Sequence, residues 1–325
     1  MHFPKITIIT LSYNQGAFIE KNIQSILSQG YPHLEYFIID AGSTDHTVDI
    51  IKKYEDQLSY WISEPVKTPS EAINKGLSLA SGEIINWINA SNFYEPYALF
   101  KVANAFSSQR IQVVTGRGRA LNPVGHATTT EETVIYPHSL SKTIGWGHFA
   151  QPETFFRRSV VAKMGLLDAH LYHLIEQDWW VRYLFLFGLE GIIKIHDHLV
   201  NFSIEQNRVV TTDLAIRENE HSFYYALANM YRLYDYVYLF KKHFPIDERL
   251  KLQFHANYTN SLVEKAVNYF TLLQAQKLFS QNNDTKAQLI LDKVNPTILQ
   301  EEDKQIYRRM KLKNKYIPKF MVNLF

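Results

Sequence analysis

The chain has 325 residues, of which 46% are hydrophobic and 14% aromatic, enough to bury a full core and form one large domain plus a smaller one. Its formal net charge of +2 is too small for a typical nucleic-acid-binding protein, because such proteins concentrate many Lys and Arg side chains on one face. We therefore expect no nucleic-acid partner. The absence of cysteine excludes disulfides and thiolate metal sites and fits a reducing compartment.

The start of the chain and its apolar runs bear on its location. The first residues, MHFPKITIIT, enter a strand pattern directly and lack the long apolar core and small-residue cleavage site of a signal peptide. No apolar run approaches the ~20 residues of a membrane-spanning helix. These features predict a soluble, cytoplasmic protein.

The first hundred residues alternate short β-rich runs with amphipathic segments, a pattern that predicts βαβ units and a mostly parallel, doubly wound α/β sheet with helices on both faces. We predict strands at Ile6 to Thr10, Tyr36 to Ile39, Tyr60 to Ser63 and Ile84 to Ile88. We predict helices at Ala17 to Ser28, Asp45 to Tyr54 and Ser70 to Ala80. Ligands of such sheets bind at the carboxyl ends of the strands. We therefore expect one crevice to be formed by the segments LSYNQ, DAGSTD, SEPVKTPSEA and NASN.

The pattern changes along the second half of the chain. A strand is predicted at Val113 to Thr115, followed by a Gly-containing loop stretch and by QPETFFRRSVVAKMG, which enters a helix. After Glu205 long helical patterns without Gly follow. We therefore place a domain boundary near residue 206, with an α/β domain over residues 1–205 and a helical region over residues 206–325.

The end of the chain is basic and amphipathic. Lys304 to Phe325 contains seven Lys or Arg residues and no acidic residue, interleaved with apolar side chains. Two readings stay open. The segment is either a solvated basic helix whose apolar side docks on the protein's own core, or a peripheral anchor at the inner face of a membrane. In the second reading each cation near anionic lipid adds about 1 kcal/mol.

Several separated motifs carry a resemblance to a known family. They are the stretch from PKITIITLSYNQ to YWISEP, then SEAINKGLSLASGEIINWIN, QPETFFRRSVVAKMGLLD and EQDWWVRY. Over roughly residues 4–205 the chain resembles a family 2 glycosyltransferase with a GT-A fold. The resemblance implies transfer of a sugar from a nucleoside diphosphate donor to a hydroxyl of a glycan or lipid-linked acceptor, usually with inversion at the anomeric carbon.

The resemblance also implies a role for individual residues on the nucleotide side. It puts Thr10, Ser12 and Tyr13 around the base, and Asp40 at the base or ribose. Asn74 and Lys75 would lie beside the phosphates, and Ser91 and Asn92 would complete the site. For Asp40 a turn cap is the alternative, because Asp commonly accepts hydrogen bonds from nearby backbone N–H groups in such turns.

The catalytic base is implied within LIEQDWWVRY. The resemblance places the base on Asp178, with Glu176 as an accessory acid, and the base would accept the proton of the acceptor hydroxyl. The alternative is an ordinary helix pair of Asp178 with Arg182, four residues later, which contributes only about 0.2 to 0.5 kcal/mol.

The chain departs from the family where a divalent cation, Mn²⁺ or Mg²⁺, is usually held. Family members typically read NSDD where this chain has Asn89, Ala90, Ser91 and Asn92. The common SEPDKG reads SEPVKT, and the later R-x-H element reads Ser203, Ile204, Glu205. Hard cations prefer carboxylate ligands, so the metal-binding motif is degenerate.

Three explanations of this departure stay open. The cation is held by a rebuilt site that uses Asn92 and Glu205, or the chain is a pseudo-glycosyltransferase that acts as a binding or scaffold partner. In the third explanation the departing diphosphate is stabilised without metal by cationic side chains. The candidates for that role are Lys67, Lys75, Arg117 and Arg119.

Overall fold

The computed structural model describes residues 3–122, 126–169, 174–203, 209–252 and 259–316. Contacts divide the chain into two compact units, each made of two segments. The first unit comprises Met1–Val134 and His148–Asp213, and the second comprises Ile135–Gly147 and Leu214–Phe325. The predicted boundary at residue 206 lies close to the division after Asp213, but residues 135–147 belong with the C-terminal helices, which the sequence pattern did not indicate.

A mixed sheet forms the centre of the first unit. Within the described residues its strands are β1 (Ile6–Ser12), β2 (Leu34–Asp40), β3 (Tyr60–Ser63), β4 (Ile84–Asn89), β5 (Asn92–Tyr94), β6 (Val113–Leu121), β7 (Ala127–Glu132), β8 (Thr154–Arg157) and β9 (Ile192–Ser203). They lie in the order β3-β2-β1-β4-β8-β6-β9-β5, and β7 pairs with β6. The β3-β2-β1-β4 part is parallel, whereas β8 is antiparallel to both of its neighbours.

The helices alternate with the strands in the first unit and dominate the second. They are α1 (Ile19–Leu27), α2 (Thr47–Lys53), α3 (Pro69–Leu79), α4 (Ala98–Ala105), α5 (Leu140–Trp146), α6 (Arg158–Met164), α7 (Ile175–Phe187), α8 (Val209–Met230), α9 (Tyr234–His243), α10 (Asn260–Ser280), α11 (Asp284–Leu291) and α12 (Glu301–Tyr316). Short 3-10 helices cover Glu55–Gln57 and Pro296–Ile298. The predicted α/β fold is confirmed, and the predicted strands and helices of the first hundred residues end within two residues of the observed ones.

Helices cover both faces of the sheet. Successive side chains of each strand point to opposite faces, so each strand contributes apolar side chains to both helix layers. On one face Ile6 and Ile8 of β1 join a buried cluster with α1, α2 and α4. On the other face Ile9 contacts α3, which approaches so closely that a Cβ atom at Gly76 would lie 2.6 Å from Ile9 Cγ2. Glycine at position 76 therefore sets the distance between α3 and the sheet.

The second unit is built around a buried ion pair. Lys142 of α5 donates to Asp303 Oδ1 of α12 at 2.6 Å, and Tyr269 of α10 donates to the other carboxylate oxygen at 3.0 Å. Asp303 is fully buried, so its charge depends on these two partners. A Cβ atom at Gly145 would lie 2.1 Å from the Ala266 carbonyl oxygen, so α5 and α10 pack backbone to backbone.

Two predictions concern the membrane, namely the absence of a spanning helix and a peripheral contact through the basic C-terminal segment. None of the described helices combines the length and the apolar character needed to cross a membrane. Of the basic segment that starts at Lys304, the structure describes the backbone to Tyr316, and in this part Met310 is buried while Leu312 is 54% exposed. The rest of the segment lies outside the described residues, and a peripheral membrane contact stays a prediction.

Candidate functional site

A cavity of about 500 Å³ opens at the carboxyl ends of β1, β2 and β4 in the first unit. It is lined by Leu11, Ser12, Tyr13, Gln15, Ile39, Ala41, Gly42, Pro65, Val66, Lys67, Thr68, Pro69, Ala72, Asn89, Ala90 and Ser91. All four segments that were expected to form one crevice contribute to this lining. The parallel strands bring them together because their carboxyl ends meet at the same edge of the sheet.

The loop after β2 meets the loop after β3 at the rim of the cavity. Gly42 has a φ of +81°, a conformation that favours glycine, and a Cβ atom there would lie 3.1 Å from the Pro65 nitrogen. Beyond Pro65, the Thr68 side chain accepts a hydrogen bond from Glu71 N at 3.2 Å and caps α3, with Pro69 in its first turn. These local features close one wall of the cavity.

Two polar atoms of the lining are buried without a partner. Ser12 is only 4% exposed, and neither Ser12 Oγ nor Gln15 Oε1 has a hydrogen-bond partner in the part of the chain that the structure describes. Buried polar atoms are normally paired, because an unmade hydrogen bond costs free energy. A bound ligand with hydroxyl or N–H groups would satisfy them. Tyr13, which is 59% exposed, lies beside Ser12 in the same lining.

The charge of the lining does not fit a divalent cation. No Asp or Glu occurs among the lining residues named above, and Lys67 is their one charged side chain. Across the described residues no group of three His, Asp or Glu side chains could hold a metal ion. Of the predicted metal ligands, Asn92 is buried and absent from the lining, and Glu205 lies outside the described residues.

Asp40 serves as a turn cap below the cavity. Its carboxylate accepts hydrogen bonds from Ser43 Oγ at 2.6 Å, Ser63 Oγ at 2.7 Å and Ser43 N at 2.8 Å, and the residue is fully buried. These contacts are those of the turn-cap alternative, and they tie the end of β2 to the end of β3. The proposed contact of Asp40 with a base or ribose stays a prediction.

Three other nucleotide-side residues, Thr10, Asn74 and Lys75, also have protein partners. Thr10 is fully buried, and its hydroxyl donates to Asn22 Oδ1 at 2.9 Å on the α1 face of the sheet. The Asn74 side chain donates to the Leu167 carbonyl and accepts from the Leu167 N–H, each at 2.8 Å, which anchors that loop to α3. Lys75 forms an ion pair with Glu64. Ser91 is buried and lines the cavity.

The two predicted catalytic carboxyls of α7 differ in their surroundings. Asp178 is 1% exposed, and its Oδ2 accepts hydrogen bonds from Nε and Nη2 of Arg182, the former at 2.8 Å. Burial raises the pKa of Asp178, and the guanidinium of Arg182 opposes this rise. Glu176 is half-buried, has no side-chain partner among the described residues, and its pKa is raised by burial.

The two arginines that were candidates for binding the diphosphate lie on β6 and are engaged elsewhere. Arg117 Nε donates to Glu132 Oε2 at 3.1 Å, and Arg119 Nη1 donates to Glu95 Oε1 at 3.4 Å. Neither arginine is part of the cavity lining. Of the candidate cations, Lys67 alone lies in the described wall of the cavity.

Sequence reasoning missed Gln15 and Asn22. Gln15 belongs to the quoted segment LSYNQ but no role was assigned to it. Asn22 sits on the apolar face of α1, among the buried residues Ile19, Ile23 and Ile26. An Asn at a position where the helical period places an apolar residue indicates a buried polar contact, and this signal was available in the sequence.

Comparisons with known proteins agree with these features. The model of the family described as glycosyl transferase family 2 matches residues 7–165. An uncharacterized glycosyltransferase of Mycobacterium tuberculosis is 26% identical over 191 residues, which cover 55% of this chain and 68% of that protein. TuaG of Bacillus subtilis, provisionally named as a teichuronic acid biosynthesis glycosyltransferase, is 30% identical over 151 residues, or 43% of this chain and 59% of TuaG.

Solved structures show the same fold. Residues 1–349 of S. aureus TarS in complex with UDP-GlcNAc superpose with a TM-score of 0.59 at 15% identity, covering 95% of this chain and 88% of that one. The mannosyltransferase PcManGT from Pyrobaculum calidifontis, in complex with GDP-Man and Mn²⁺, superposes with a TM-score of 0.54 at 14% identity, covering 98% and 82%.

Proposed function

Because residues 7–165 match the model of glycosyl transferase family 2, we propose that this chain transfers a sugar from a nucleoside diphosphate donor to a hydroxyl of a glycan or lipid-linked acceptor. The main structural support for this proposal is the cavity. It lies within the matched residues, at the edge where α/β sheets bind ligands, and its volume of about 500 Å³ falls in the range of small-molecule sites. TuaG supports an acceptor in polysaccharide synthesis.

The donor is proposed to be a uridine diphosphate sugar. TarS binds UDP-GlcNAc on the same fold. In this chain Ser12 Oγ and Gln15 Oε1 supply a donor and an acceptor of hydrogen bonds that no described protein group satisfies. These two side chains lie next to the exposed ring of Tyr13, which offers a face for stacking a base.

The diphosphate is proposed to be neutralised by Lys67. Its ammonium has no ion-pair partner among the described residues, and the side chain is exposed at the cavity wall. An ammonium that meets the oxygen of a departing phosphate stabilises the charge that develops in the transition state. The described wall does not fit the cation implied by the family, so no step of this proposal depends on one.

The acceptor is proposed to be activated by Glu176, with Asp178 as a positioning residue. The Glu176 carboxylate takes the proton of the acceptor hydroxyl, whose oxygen attacks the anomeric carbon from the face opposite the diphosphate. The bond from that carbon to the diphosphate breaks, its electron pair stays on the phosphate oxygen, and the configuration inverts. Glu176 suits this role because it has no cationic partner among the described residues, whereas Asp178 is held by Arg182.

Calorimetry of nucleoside diphosphate binding, with Mn²⁺ and with a chelator, tests the proposal. Binding of uridine diphosphate that survives the chelator, and that weakens about 10- to 100-fold in Lys67→Met, is the expected result, since one charge-assisted contact contributes roughly 1.5 to 3 kcal/mol in free energy. Lys53→Met is the matched control, because Lys53 is an exposed lysine of α2 outside the lining.

Each other outcome overturns a defined part of the proposal. Binding that requires Mn²⁺ would overturn the role of Lys67 and favour a site rebuilt from Asn92 and Glu205. If none of the nucleoside diphosphates binds under either condition, the transferase proposal fails and a scaffold role replaces it.

A further inference from the structure

A buried polar triad of Thr10, Asn22 and Tyr36 lies behind the wall of the cavity that the turn after β4 forms. Asn22 of α1 is fully buried, and its Oδ1 accepts hydrogen bonds from Thr10 Oγ1 and from the Tyr36 hydroxyl, each at 2.9 Å. Thr10 and Tyr36 are themselves 3.1 Å apart. Burial raises the pKa of Tyr36 far above its ordinary value, so this hydroxyl keeps its proton and stays available as a donor.

The other end of the same amide contacts the turn that lines the cavity. Asn22 Nδ2 donates to the Asn92 carbonyl at 2.6 Å and lies 3.4 Å from the Asn89 carbonyl. Asn89, Ala90 and Ser91 line the cavity, so Asn22 bonds to both ends of the segment that forms this wall. The two hydroxyls that hold Oδ1 leave the amide one orientation, with its N–H groups towards the turn.

The neighbouring turns of α1 extend this hold along the same segment. Ser25 Oγ accepts from Tyr94 N at 3.1 Å, and Gln29 Nε2 donates to the Glu95 carbonyl at 2.9 Å. Asn22 and Ser25 are three residues apart and share one face of α1, and Gln29 lies in the turn just after the helix ends at Leu27. Of these three residues, Asn22 is the one whose side chain contacts a residue of the cavity lining, Asn89.

We propose that Asn22 is a positioning residue of the donor site, and that its amide fixes the Asn89–Asn92 turn at the distance from β1 that donor binding requires. This inference rests on the proposed function. A turn that carries metal ligands is also held from the cavity side, through the cation and the donor. In this chain the turn has no carboxylate, so its geometry depends on the protein groups behind it.

The test compares two buried polar residues, Asn22, which bonds to the carboxyl end of β1, and Thr7, which lies near the start of β1. Asn22→Leu keeps a similar volume and removes every bond to the turn. Thr7→Val is the matched control, because Thr7 is also fully buried on β1 and its hydroxyl bonds to Glu35 at 2.6 Å and to Gly82 N at 2.9 Å, far from the cavity. Both variants should lower the thermal midpoint.

Donor affinity separates a positioning role from a structural one. We expect the uridine diphosphate Kd, and the donor KM, to rise about tenfold in Asn22→Leu and to stay within about twofold of the natural protein in Thr7→Val. The kcat at saturating donor should change far less than KM in both variants. Asn22→Ser, which is too short to reach the Asn92 carbonyl, serves as the second variant if Asn22→Leu does not fold.

The outcomes distinguish this inference from the function on which it rests. If the natural protein binds uridine diphosphate and the Asn22 and Thr7 variants have the same Kd, Asn22 is structural only and the inference is overturned. If the natural protein itself binds no nucleoside diphosphate, the proposed function fails first and the inference falls with it.

Discussion

Replacing Glu35 by Gln should lower stability at neutral pH and remove part of its pH dependence. Glu35 lies near the start of β2, at the sheet edge opposite the cavity, where its carboxylate accepts from Thr7 Oγ1 at 2.6 Å and from Ser81 N at 2.8 Å and pairs with Lys5 at 2.6 Å. Burial alone would raise the pKa of Glu35, but these contacts outweigh burial and bring it from 4.5 to about 2.

The shift translates into a free energy with a defined sign. A fall of the pKa from 4.5 to about 2 corresponds to about 3 kcal/mol of unfolding free energy. The Lys5 side chain is 45% exposed, so solvent screening reduces the figure to about 2 kcal/mol. Because the folded-state pKa is the lower one, this stabilisation is fully present above pH 4.5 and is lost as the pH falls from 4.5 towards 2.

Urea denaturation at two pH values measures the effect. The natural protein should exceed Glu35→Gln in unfolding free energy by about 2 kcal/mol at pH 7 and by about 1 kcal/mol at pH 3.5, where roughly 40% of the contribution is gone. Donor affinity should not change. Glu55→Gln is the control, since Glu55 is exposed and its side chain has no partner among the described residues. An equal difference at both pH values would refute the reasoning.

Three further predictions concern residues of α7 and α3. Glu176→Gln should abolish transfer and leave donor Kd unchanged, and the acid limb of the kcat/KM profile should lie above pH 4.5 because burial raises the pKa of this base. Arg182→Met should lower the unfolding free energy by about 3–5 kcal/mol, measured by chemical denaturation, because it leaves Asp178 buried without its partner. The double variant that also carries Asp178→Asn should recover part of that loss. Gly76→Ala should lower the thermal midpoint, with a cost of about 1–3 kcal/mol, because its Cβ would lie 2.6 Å from Ile9; an unchanged midpoint would show that α3 can move away.

The strands and α-helices from β1 to β4 could be predicted from sequence because they alternate with clear periods. The strand β5 was not predicted, since its three residues, Asn92–Tyr94, pair with β9 more than a hundred residues later. The four residues of β8 could not be predicted either, since Thr154–Arg157 leads directly into α6 and is a strand only through antiparallel pairing with β4 and β6. Whether a short apolar run forms a strand depends on the strands that it pairs with. For β8 these are β4 and β6, which lie at least 30 residues away in the chain.

The position of the site was predictable, but the partners of its residues were not. The segments that line the cavity follow from the rule that parallel strands end at one edge. The roles of Asp40 and Asn74 depend on which hydrogen bonds their side chains make, and the same residue types serve equally well as turn caps, loop anchors or ligand contacts. Sequence cannot choose among these, because the partners Ser63 and Leu167 are brought close only by folding.

The two-segment composition of the second unit has a consequence for the order of folding. Residues 135–147 are synthesised more than a hundred residues before α10, against which α5 packs. During synthesis this segment therefore cannot form its buried contacts until the later helices have been made. In particular, Lys142 has no Asp303 to pair with during this time. A chain cut after the α/β unit would keep α5 with no partner helix, and its apolar side would be open to aggregation. The solubility of the α/β unit is thus expected to depend on the presence of the helical unit.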